Sequence, residues 1–307
     1  MRHVVLGAGN LGTDLADELR KKQGILDVCL LSKSNGFDVT DPNQMHAMLT
    51  SGIYDCIWYA IGFGSVAEAK KYPDTAHLFH VRIPKAIAAL ADKNAKLVFF
   101  SSDYAADENQ PHRPDIINPT PRSSYAFLKA QMEIELQQIN RPNTAIIRVG
   151  SLYGFKKPTE TFPGKIIKNF TDAATFRELP SNVVTPTPTL WLANMLSLHF
   201  EKLFSEHNTT MHHCAPRGNA TIRDWAILIL EKAKVDYKLT NREFFDSERP
   251  QFSGLGCSFT KAVHHWHDLF EAYFKPRWYA VQSTQPEGLP LPNANNFPSV
   301  FLKAPLN

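Results

Sequence analysis

Short apolar runs alternate with helical stretches along the first 150 residues, and this pattern restricts the chain to few folds. The runs VVLG, VCLLS, CIWYA, KLVFFSS and TAIIRVG have the length of buried parallel strands. Helices are predicted over 12–22, where Leu11, Leu15 and Leu19 recur every fourth residue, and over 83–93. The alternation predicts a parallel α/β sheet covered by helices on both faces.

A glycine-rich turn joins the first apolar run to the first helix. Gly7, Gly9 and Gly12 form the pattern G-x-G-x-x-G within GAGNLG. In this position glycines allow a tight turn, a close approach of the backbone to a pyrophosphate, and close packing of helix on strand. The helix N-terminus then faces the anion. The turn predicts dinucleotide binding by these glycines and by Asn10 and Leu11; the alternative is a glycine turn that holds no ligand.

The next two strands carry the other predicted cofactor contacts. An acidic residue after the second strand would bind the ribose hydroxyls of NAD, but the chain has Ser32 and Lys33 there. A hydroxyl and an ammonium suit a 2′-phosphate, so NADP(H) is predicted in preference to NAD(H); otherwise Lys33 is a solvated loop residue. Asp38 and Val39 are predicted to cover the adenine, unless Asp38 merely lies near a helix capped by Asp41. The end of the third strand adds Ala60, Ile61 and Gly62.

Tyr125 and Lys129 stand four residues apart in a predicted helix, so their side chains share one helix face. Upstream, the strand in KLVFFSSD ends in hydroxyl groups at the carboxyl edge of the sheet, where open α/β folds bind ligands. A ketone reductase needs an acid, and a nearby ammonium can lower the pKa of a phenol. We predict that Tyr125 is the acid, that Lys129 lowers its pKa, and that Ser102 or Ser101 donates a hydrogen bond to the carbonyl. The alternative is two residues that share a helix face by chance.

Composition excludes several functional classes. The 307 residues are 43% hydrophobic, which is enough to bury a full core. With 33 basic and 30 acidic residues, the net charge of +3 leaves no polycationic face, so no nucleic acid partner is expected. No signal peptide and no apolar stretch of membrane-spanning length are recognisable, so we expect a cytoplasmic protein with no membrane partner.

No metal site is predicted. His264 and His267 stand three apart in a predicted helix, but no third ligand accompanies them. Aromatic and leucine residues in the same segment favour an ordinary amphipathic helix. The four cysteines are far apart in the sequence and indicate neither a zinc site nor a disulfide framework: Cys29, Cys56, Cys214 and Cys257.

The chain is expected to divide into two lobes and a tail. A nucleotide-binding domain is predicted over 1–155, with 180–212 returning to it. A smaller lobe is predicted over 156–179 and 213–275, where loops and scattered helices replace the regular alternation. Prolines recur with little periodicity after that, so 276–307 is predicted to be an extended tail.

Several motifs together resemble one family. The glycine turn, the strand ending in SSDY, then YAFLK and RVGSLYG occur in the order and spacing of the extended short-chain dehydrogenase/reductase superfamily. Within it the chain most resembles the dTDP-4-dehydrorhamnose reductase family, through SSDY, the Tyr-x-x-x-Lys pair and the trailing Glu133. RPQFSGLGCSFTKA is similar to that family's C-terminal signature, with matches at Arg249, Pro250, Ser253 and Leu255. The resemblance covers roughly residues 1–275.

The resemblance implies a fold, an activity and a site. The implied fold is α/β, a Rossmann-type doubly wound parallel sheet with a smaller C-terminal α/β substrate lobe. The implied activity is NAD(P)H-dependent reduction of a 4-keto-6-deoxy nucleotide sugar, with hydride from the nicotinamide and catalysis by Tyr125, Lys129 and Ser102. Arg249 is expected at the substrate diphosphate, or else in a structural ion pair. The superfamily also implies a homodimer through the helix that carries the tyrosine.

The chain departs from the family where the substrate would lie. Tyr59 replaces an asparagine, and Ala67 and Lys70 fall where acids are expected. Arg82 appears in place of an active-site asparagine and would recruit an anionic group of the substrate, beside Ser101 and Asp103. Two alternatives therefore stay open: an epimerase or dehydratase of the same superfamily, and a non-catalytic NADP-binding regulatory subunit.

Overall fold

The computed structural model describes residues 1–63, 65–107, 113–118, 120–170, 177–240, 242–261 and 263–283, the last nine of these by their backbone alone. Its strands are β1 (Arg2–Leu6), β2 (Asp27–Leu31), β3 (Cys56–Tyr59), β4 (Lys96–Ser102), β5 (Thr144–Val149), β6 (Ser151–Tyr153), β7 (Val183–Val184), β8 (Pro186–Pro188), β9 (Thr210–Cys214) and β10 (Ala220–Thr221). Its helices are α1 (Asn10–Arg20), α2 (Pro42–Thr50), α3 (Val66–Lys71), α4 (Pro73–His77), α5 (Ile83–Leu90), α6 (Ser124–Ile139), α7 (Phe162–Phe170), α8 (Thr189–Leu198), α9 (Ile222–Ala233) and α10 (Trp266–Ser283).

Six parallel strands form the main sheet in the order β2-β1-β3-β4-β5-β9. The predicted doubly wound parallel sheet is therefore confirmed, and all five predicted strands lie in it. The chain leaves β1 toward β2 on one side and returns to β3 on the other, so the winding direction reverses between β1 and β3. In open α/β sheets a ligand crevice lies at such a reversal, beyond the carboxyl ends of the strands.

Each face of this sheet has its own apolar core. On one face α1 and α8 pack through residues such as Leu15, Leu19 and Leu192, all fully buried. On the other face α2, α5 and α6 contribute Met45, Ile87 and other apolar side chains. Every residue of β5 is buried because helices cover both faces, which explains why the strands read as continuous apolar runs.

The glycine turn requires glycine at two of its positions. Gly7 has φ +110°, and a Cβ there would lie 2.8 Å from the carbonyl oxygen of Ala60. A Cβ on Gly12 would lie 1.8 Å from the carbonyl oxygen of Gly7. The first helix can therefore approach the first strand this closely only without these side chains.

A third core lies in the lobe, where α7, α9 and α10 pack around Trp225, Phe270 and Phe274. Helix α9 starts as its sequence predicts, because the Thr221 hydroxyl accepts a hydrogen bond from the Asp224 backbone N–H. Strand β9 belongs to the main sheet and runs to Cys214, two residues into the range that the sequence assigned to the lobe.

The C-terminal segment is helical farther than its prolines suggest. Residues 276–283, predicted to begin an extended tail, continue α10 as its last turns. The helix starts ten residues before Pro276, so the proline removes one backbone donor from a helix that is already established. The remainder of the predicted tail, 284–307, lies outside the described residues. No helix in the described part of the chain has the length and apolar character that crossing a membrane requires.

Candidate active site

The carboxyl end of β4 places three polar side chains at the edge of the sheet. β4 ends at Ser102, and a short 3₁₀ turn over Asp103–Ala105 follows. The Ser102 hydroxyl accepts a hydrogen bond from the Tyr104 backbone N–H at 3.3 Å, which starts this turn. Ser102, Asp103 and Tyr104 are all buried, although the first two are polar. Buried polar groups need partners, so their contacts define the site.

Ser102 links Tyr125 to Asp103 in one hydrogen-bonded chain. The Ser102 hydroxyl donates to Oδ1 of Asp103 at 2.7 Å. A side-chain hydrogen bond also joins Ser102 to Tyr125, which lies in the first turn of α6. This second hydrogen bond favours the phenolate form of Tyr125. The structure therefore selects Ser102 of the two candidate serines as the partner of Tyr125.

Burial and two neighbouring groups set the Tyr125 pKa in this structure, and the prediction that Lys129 lowers it stays a prediction. Burial raises the pKa of Tyr125 to about 12, the Ser102 hydrogen bond opposes that shift, and the charge of Asp103 adds to it. The Lys129 ammonium instead donates to the carbonyl oxygen of Phe100 at 2.8 Å. The i, i+4 spacing puts both residues on one helix face, and this carbonyl holds the ammonium. At neutral pH Tyr125 therefore keeps its proton.

Lys129 belongs to a buried charged cluster below the site. Burial lowers its pKa to about 8, and the carboxylate of Glu133 one turn away opposes the shift. Arg148 on β5 donates to both carboxylate oxygens of Glu133, at 2.8 and 2.7 Å, and neither side chain has any exposed surface. The Ser101 hydroxyl is among the groups that favour the ionised form of Glu133. Ser101 thus faces this cluster rather than Tyr125, as alternation along β4 requires.

Asp103 also connects the sheet to the lobe. Its Oδ2 accepts a hydrogen bond at 2.8 Å from the hydroxyl of Ser253, which lies in the RPQFSGL segment. Ser253 also contacts the carbonyl oxygen of Val183 at 3.1 Å. Burial raises the pKa of Asp103 to about 6, while the hydrogen bonds from Ser102 and Ser253 and the charge of Arg249 oppose the shift. A carboxyl group that changes charge near neutral pH thus lies one hydroxyl away from Tyr125.

We expect Asp103 to make the protein less stable as pH rises. Its pKa is higher in the folded chain, about 6 against 3.8, so the folded state binds more protons between those values. The free energy of unfolding therefore falls across this range, by about 3 kcal/mol for a shift of about two units. Asp103→Asn carries no charge at this position. Its free energy of unfolding should therefore rise relative to that of the wild type by about that amount between about pH 4 and pH 7.5. Urea unfolding at both pH values tests this, and a difference independent of pH would contradict it.

Arg249 is fixed beside the same chain of hydrogen bonds. Its Nε donates to Asp246 at 3.1 Å and its Nη1 donates to the Tyr104 hydroxyl at 2.5 Å. The Tyr104 ring in turn meets the Tyr125 ring edge-on, with centroids 5.7 Å apart. Arg249 therefore lies at the site, and one side of its guanidinium is held by the ion pair that the sequence left as an alternative.

His80, not Arg82, is the polar residue of its segment that packs against the Tyr125 ring. Leu78–Arg82 forms a π-helical turn, and the His80 ring packs edge-on against Tyr125 with centroids 5.6 Å apart. Its Nε2 accepts the backbone N–H of Phe63 at 3.2 Å, and burial lowers the His80 pKa to about 2, so the ring is neutral. Arg82 is exposed on the surface.

The other departures from the family pattern have structural roles. The Tyr59 hydroxyl donates to the carbonyl oxygen of Phe79 at 2.9 Å within a buried environment. Lys70 is exposed and pairs with Glu248 of the lobe at 2.7 Å. Ala67 is exposed on α3. Tyr59 and Lys70 therefore join segments around the site.

The glycine turn and the hydrogen bonds of Ser102 lie along one edge of the sheet. Gly7 lies against Ala60 and Ile61, and the loop they begin reaches His80 through Phe63. Gly62, exposed in that loop, packs on the His80 ring. His80 in turn contacts Tyr125, so residues from β1, β3 and α6 meet along one edge of the sheet.

The residues at the glycine turn fit a dinucleotide. A Cβ built on Gly9 meets no atom within 4 Å, so the backbone there is open to a bulky group. Gly9 begins α1 without a side-chain cap, which leaves backbone N–H groups available for an anion. Asn10 exchanges hydrogen bonds with the backbone of Lys157, and Leu11 is buried beneath the turn. These two residues therefore shape the turn.

The predicted ribose and adenine contacts lie together after β2. Ser32 is hydrogen-bonded to Ser34 at 2.8 Å, and exposed Lys33 pairs with Asp38 at 3.0 Å. Hydrogen bonds from Thr40 and then Lys33 lower the pKa of Asp38 to about 2. Val39 is buried under this loop. Asp41 caps α2 by accepting the backbone N–H groups of Asn43 and Gln44, as the alternative reading proposed.

Within the described ranges, no group of three or more His, Cys, Asp or Glu side chains is arranged to hold a metal ion. His264 precedes α10, and its Nδ1 accepts a hydrogen bond from the Trp191 indole at 3.3 Å. The two histidines therefore do not share a helix face.

Sequence reasoning missed three residues of the site. Tyr104 and Ser253 stood in the quoted SSDY and RPQFSGL motifs, which signalled both without giving them a role. His80 had no such signal, because its contact with Tyr125 depends on the extra residue in the π-helical turn.

Comparison with known families decides the class of the chain. The family model described as the RmlD substrate binding domain matches residues 1–274. The chain belongs to this family. The predicted family resemblance is thereby confirmed. A comparison with curated proteins found no significant match.

Solved structures share the fold of this family member. A dTDP-4-dehydrorhamnose reductase from Clostridium acetobutylicum is 22% identical, with a TM-score of 0.73 over 92% of this chain and 100% of that one. The dTDP-4-dehydrorhamnose reductase from Bacillus anthracis, in complex with NADP, is 21% identical, with a TM-score of 0.73 over 89% and 98%. A UDP-glucuronic acid 4-epimerase from Bacillus cereus, with UDP-glucuronic acid and NAD, is 14% identical, with a TM-score of 0.73 over 92% and 99%.

Proposed function

We propose that the protein is an NAD(P)H-dependent reductase of a 4-keto-6-deoxy nucleotide sugar. The observation that carries the proposal is the hydrogen-bonded chain from Tyr125 through Ser102 to Asp103, on the same sheet edge as the glycine turn. Reduction of a ketone needs a proton donor that still carries its proton at neutral pH. The raised pKa of Tyr125 meets that need.

The site residues would divide the work as follows. Gly7, Gly9, Gly12 and the N-terminus of α1 would hold the pyrophosphate of the cofactor, which supplies the hydride when bound. Tyr125 would protonate the oxygen that gains charge. Ser102 would stabilise that oxygen and, through Asp103, return a proton to the phenol.

Arg249 and Asp103 would bind the substrate from the lobe side of the cleft. The Arg249 guanidinium is already oriented by Asp246 and Tyr104, so it can meet a phosphate without first being ordered. Ser253 lies in the lobe and donates a hydrogen bond to Asp103. A substrate bound to the lobe would therefore affect the hydrogen bonds that join Asp103, Ser102 and Tyr125. Arg82 and Ser101 are weaker candidates, because one is on the surface and the other faces Glu133.

The test is a panel of 4-keto-6-deoxy sugars on different nucleotides, incubated with the protein and NADPH. Oxidation of NADPH that requires one panel member, with a matching 4-hydroxy product, would support the reductase. Conversion of a nucleotide sugar with no net NADPH consumption would favour the epimerase or dehydratase alternative. Tight NADPH binding without turnover on the whole panel would favour the regulatory subunit and count against the proposal.

We further propose that NADP(H) is preferred over NAD(H), because Lys33 and Ser32 follow β2 where the 2′-phosphate would lie. Lys33→Ala should weaken NADPH binding about tenfold, an effect that added salt reduces because the side chain is exposed. NADH binding should not change. Lys21→Ala is a matched control, since Lys21 is also an exposed lysine paired with a carboxylate. Equal losses for NADPH and NADH, measured by fluorescence titration, would contradict the assignment.

A homodimer through α6 is proposed on the exposed apolar side chains of that helix. Phe127 is 56% exposed and Ile134 is 43% exposed, and they stand two turns apart on α6. Paired apolar groups at that spacing form a stripe that a second copy of the chain could cover. Sedimentation equilibrium should give a dimer mass for the wild type and a monomer mass for Phe127→Glu with Ile134→Glu.

A further inference from the structure

Two cysteines that are distant in the sequence lie opposite each other in the fold. Cys214 ends β9, and Cys257 lies in the loop that follows the RPQFSGL segment. The N–H of Ala215 donates to the carbonyl oxygen of Gly256 at 3.1 Å, and the N–H of Ser258 donates to that of His213 at 2.8 Å. Antiparallel pairing thus brings together two cysteines that are 43 positions apart in the sequence.

This backbone pattern fixes the distance between the two residues. The hydrogen bonds are made by the flanking residues, so Cys214 and Cys257 form a non-hydrogen-bonded pair, with Cα atoms about 4.5 Å apart. That value lies at the short end of the Cα separations that a disulfide bridges. A disulfide here would therefore form without moving either backbone segment far.

The two thiols differ in ways that suit consecutive roles. The Cys257 sulfur accepts hydrogen bonds from the Cys214 thiol and from the backbone N–H groups of Phe259 and Thr260, and these lower its pKa to about 7. It is also partly exposed. Cys214 is fully buried, and burial raises its pKa well above the ordinary value. Cys257 can thus react as a thiolate with a small solute. Cys214 can then attack the oxidised Cys257 sulfur to form a disulfide.

We propose that Cys214 and Cys257 are a reversible disulfide site, formed when a peroxide oxidises Cys257. The Cys257 thiolate attacks the peroxide, so a sulfur–oxygen bond forms and the oxygen–oxygen bond breaks, with hydroxide leaving. The Cys214 thiol then loses its proton and attacks the Cys257 sulfur. A sulfur–sulfur bond forms, the sulfur–oxygen bond breaks, and water leaves with that proton. Two thiols are oxidised and one peroxide is reduced to water.

The bond would join the two lobes covalently. Cys214 is the last residue of the main sheet's edge strand, whereas Cys257 lies four residues after Ser253, which holds Asp103 from the lobe. Oxidation would thus fasten the loop that positions Asp103 to the sheet. A thiol reductant reverses the change, so this contact would respond to the peroxide level around the protein.

The experiment treats the reduced full-length protein with hydrogen peroxide, unfolds it in N-ethylmaleimide, and measures intact mass and peptides. We expect labelled thiols to fall from four to two, and a peptide pair joined through Cys214 and Cys257 that is about 2 Da lighter than its reduced parts. Dithiothreitol should restore all four. Cys29 and Cys56 act as internal controls, because β1 separates their strands and they should remain labelled.

Two variants separate the steps. Cys214→Ser should stop at a sulfenic acid on Cys257 that dimedone traps, and Cys257→Ser should keep its three remaining thiols. Cys29→Ser should form the cross-link like the wild type. Full labelling of all four thiols after peroxide, or a cross-link that involves Cys29 or Cys56, would overturn the proposal. Neither measurement depends on reductase turnover, so it stands or fails separately from the proposed activity.

Discussion

Tyr125→Phe should lower kcat about 10²–10⁴-fold, which is the usual contribution of a positioned general acid, while the fold and NADPH affinity stay as in the wild type. Phenylalanine keeps the ring that packs edge-on against His80 and Tyr104, so the packing around position 125 is preserved. Only the hydroxyl that bonds Ser102 is lost. The loss should therefore appear in kcat and in kcat/KM equally, because the interaction is made in the transition state.

Tyr153→Phe is the matched control for this substitution. Tyr153 is a buried tyrosine of the lobe core, and among the described residues its hydroxyl has no hydrogen-bond partner. Removing that hydroxyl should leave turnover unchanged and should not reduce stability. Steady-state rates and thermal unfolding of both variants test the pair. Wild-type kcat in Tyr125→Phe would mean that another group protonates the substrate, and the proton chain proposed for this site would be abandoned.

The second large effect is expected at the buried pair of Glu133 and Arg148. Arg148→Met should lower the free energy of unfolding by about 3–5 kcal/mol, because it leaves a carboxylate buried without its main partner. Arg148 also contacts His213 Nε2 at 3.2 Å, so the substitution disturbs α6, β5 and β9 together. Urea unfolding with linear extrapolation measures the change.

Replacing both partners distinguishes an unpaired charge from lost packing. Arg148→Met combined with Glu133→Leu removes both charges and fills similar volume, so most of the lost stability should return. The surface pair of Lys96 and Glu201 supplies a control, since the Glu201 side chain is 72% exposed and Glu201→Ala should cost less than about 1 kcal/mol. A loss below about 1 kcal/mol for Arg148→Met would contradict the expected cost of leaving the Glu133 carboxylate buried without its partner.

The double variant also bears on Lys129. Glu133 is the charge that opposes the lowering of the Lys129 pKa by burial. Without it the ammonium should lose its proton at a lower pH. The pair of Glu133 and Arg148 would then influence the protonation of Lys129, which stands one helix turn from Glu133.

The sequence by itself determined the sheet, the glycine turn and the Ser102 and Tyr125 positions. The strands could be predicted because burial on both faces makes each one a continuous apolar run. The turn could be predicted because the steric demands at Gly7 and Gly12 arise between segments joined by a few residues. Such local constraints can be recognised in the amino-acid sequence, because the residues concerned are close together in the chain.

Only the tertiary structure decided which groups act on Tyr125. Helix periodicity placed Lys129 on the same face, but only the fold showed that its ammonium binds the carbonyl of Phe100, and the π-helical turn brought His80 to the ring in preference to Arg82. Asp103 meets Ser253 across 150 positions, and Cys214 meets Cys257 through pairing of an edge strand with a loop. No periodicity encodes these contacts, because they depend on how separately formed elements pack and on which carbonyl or hydroxyl lies nearest to each charge.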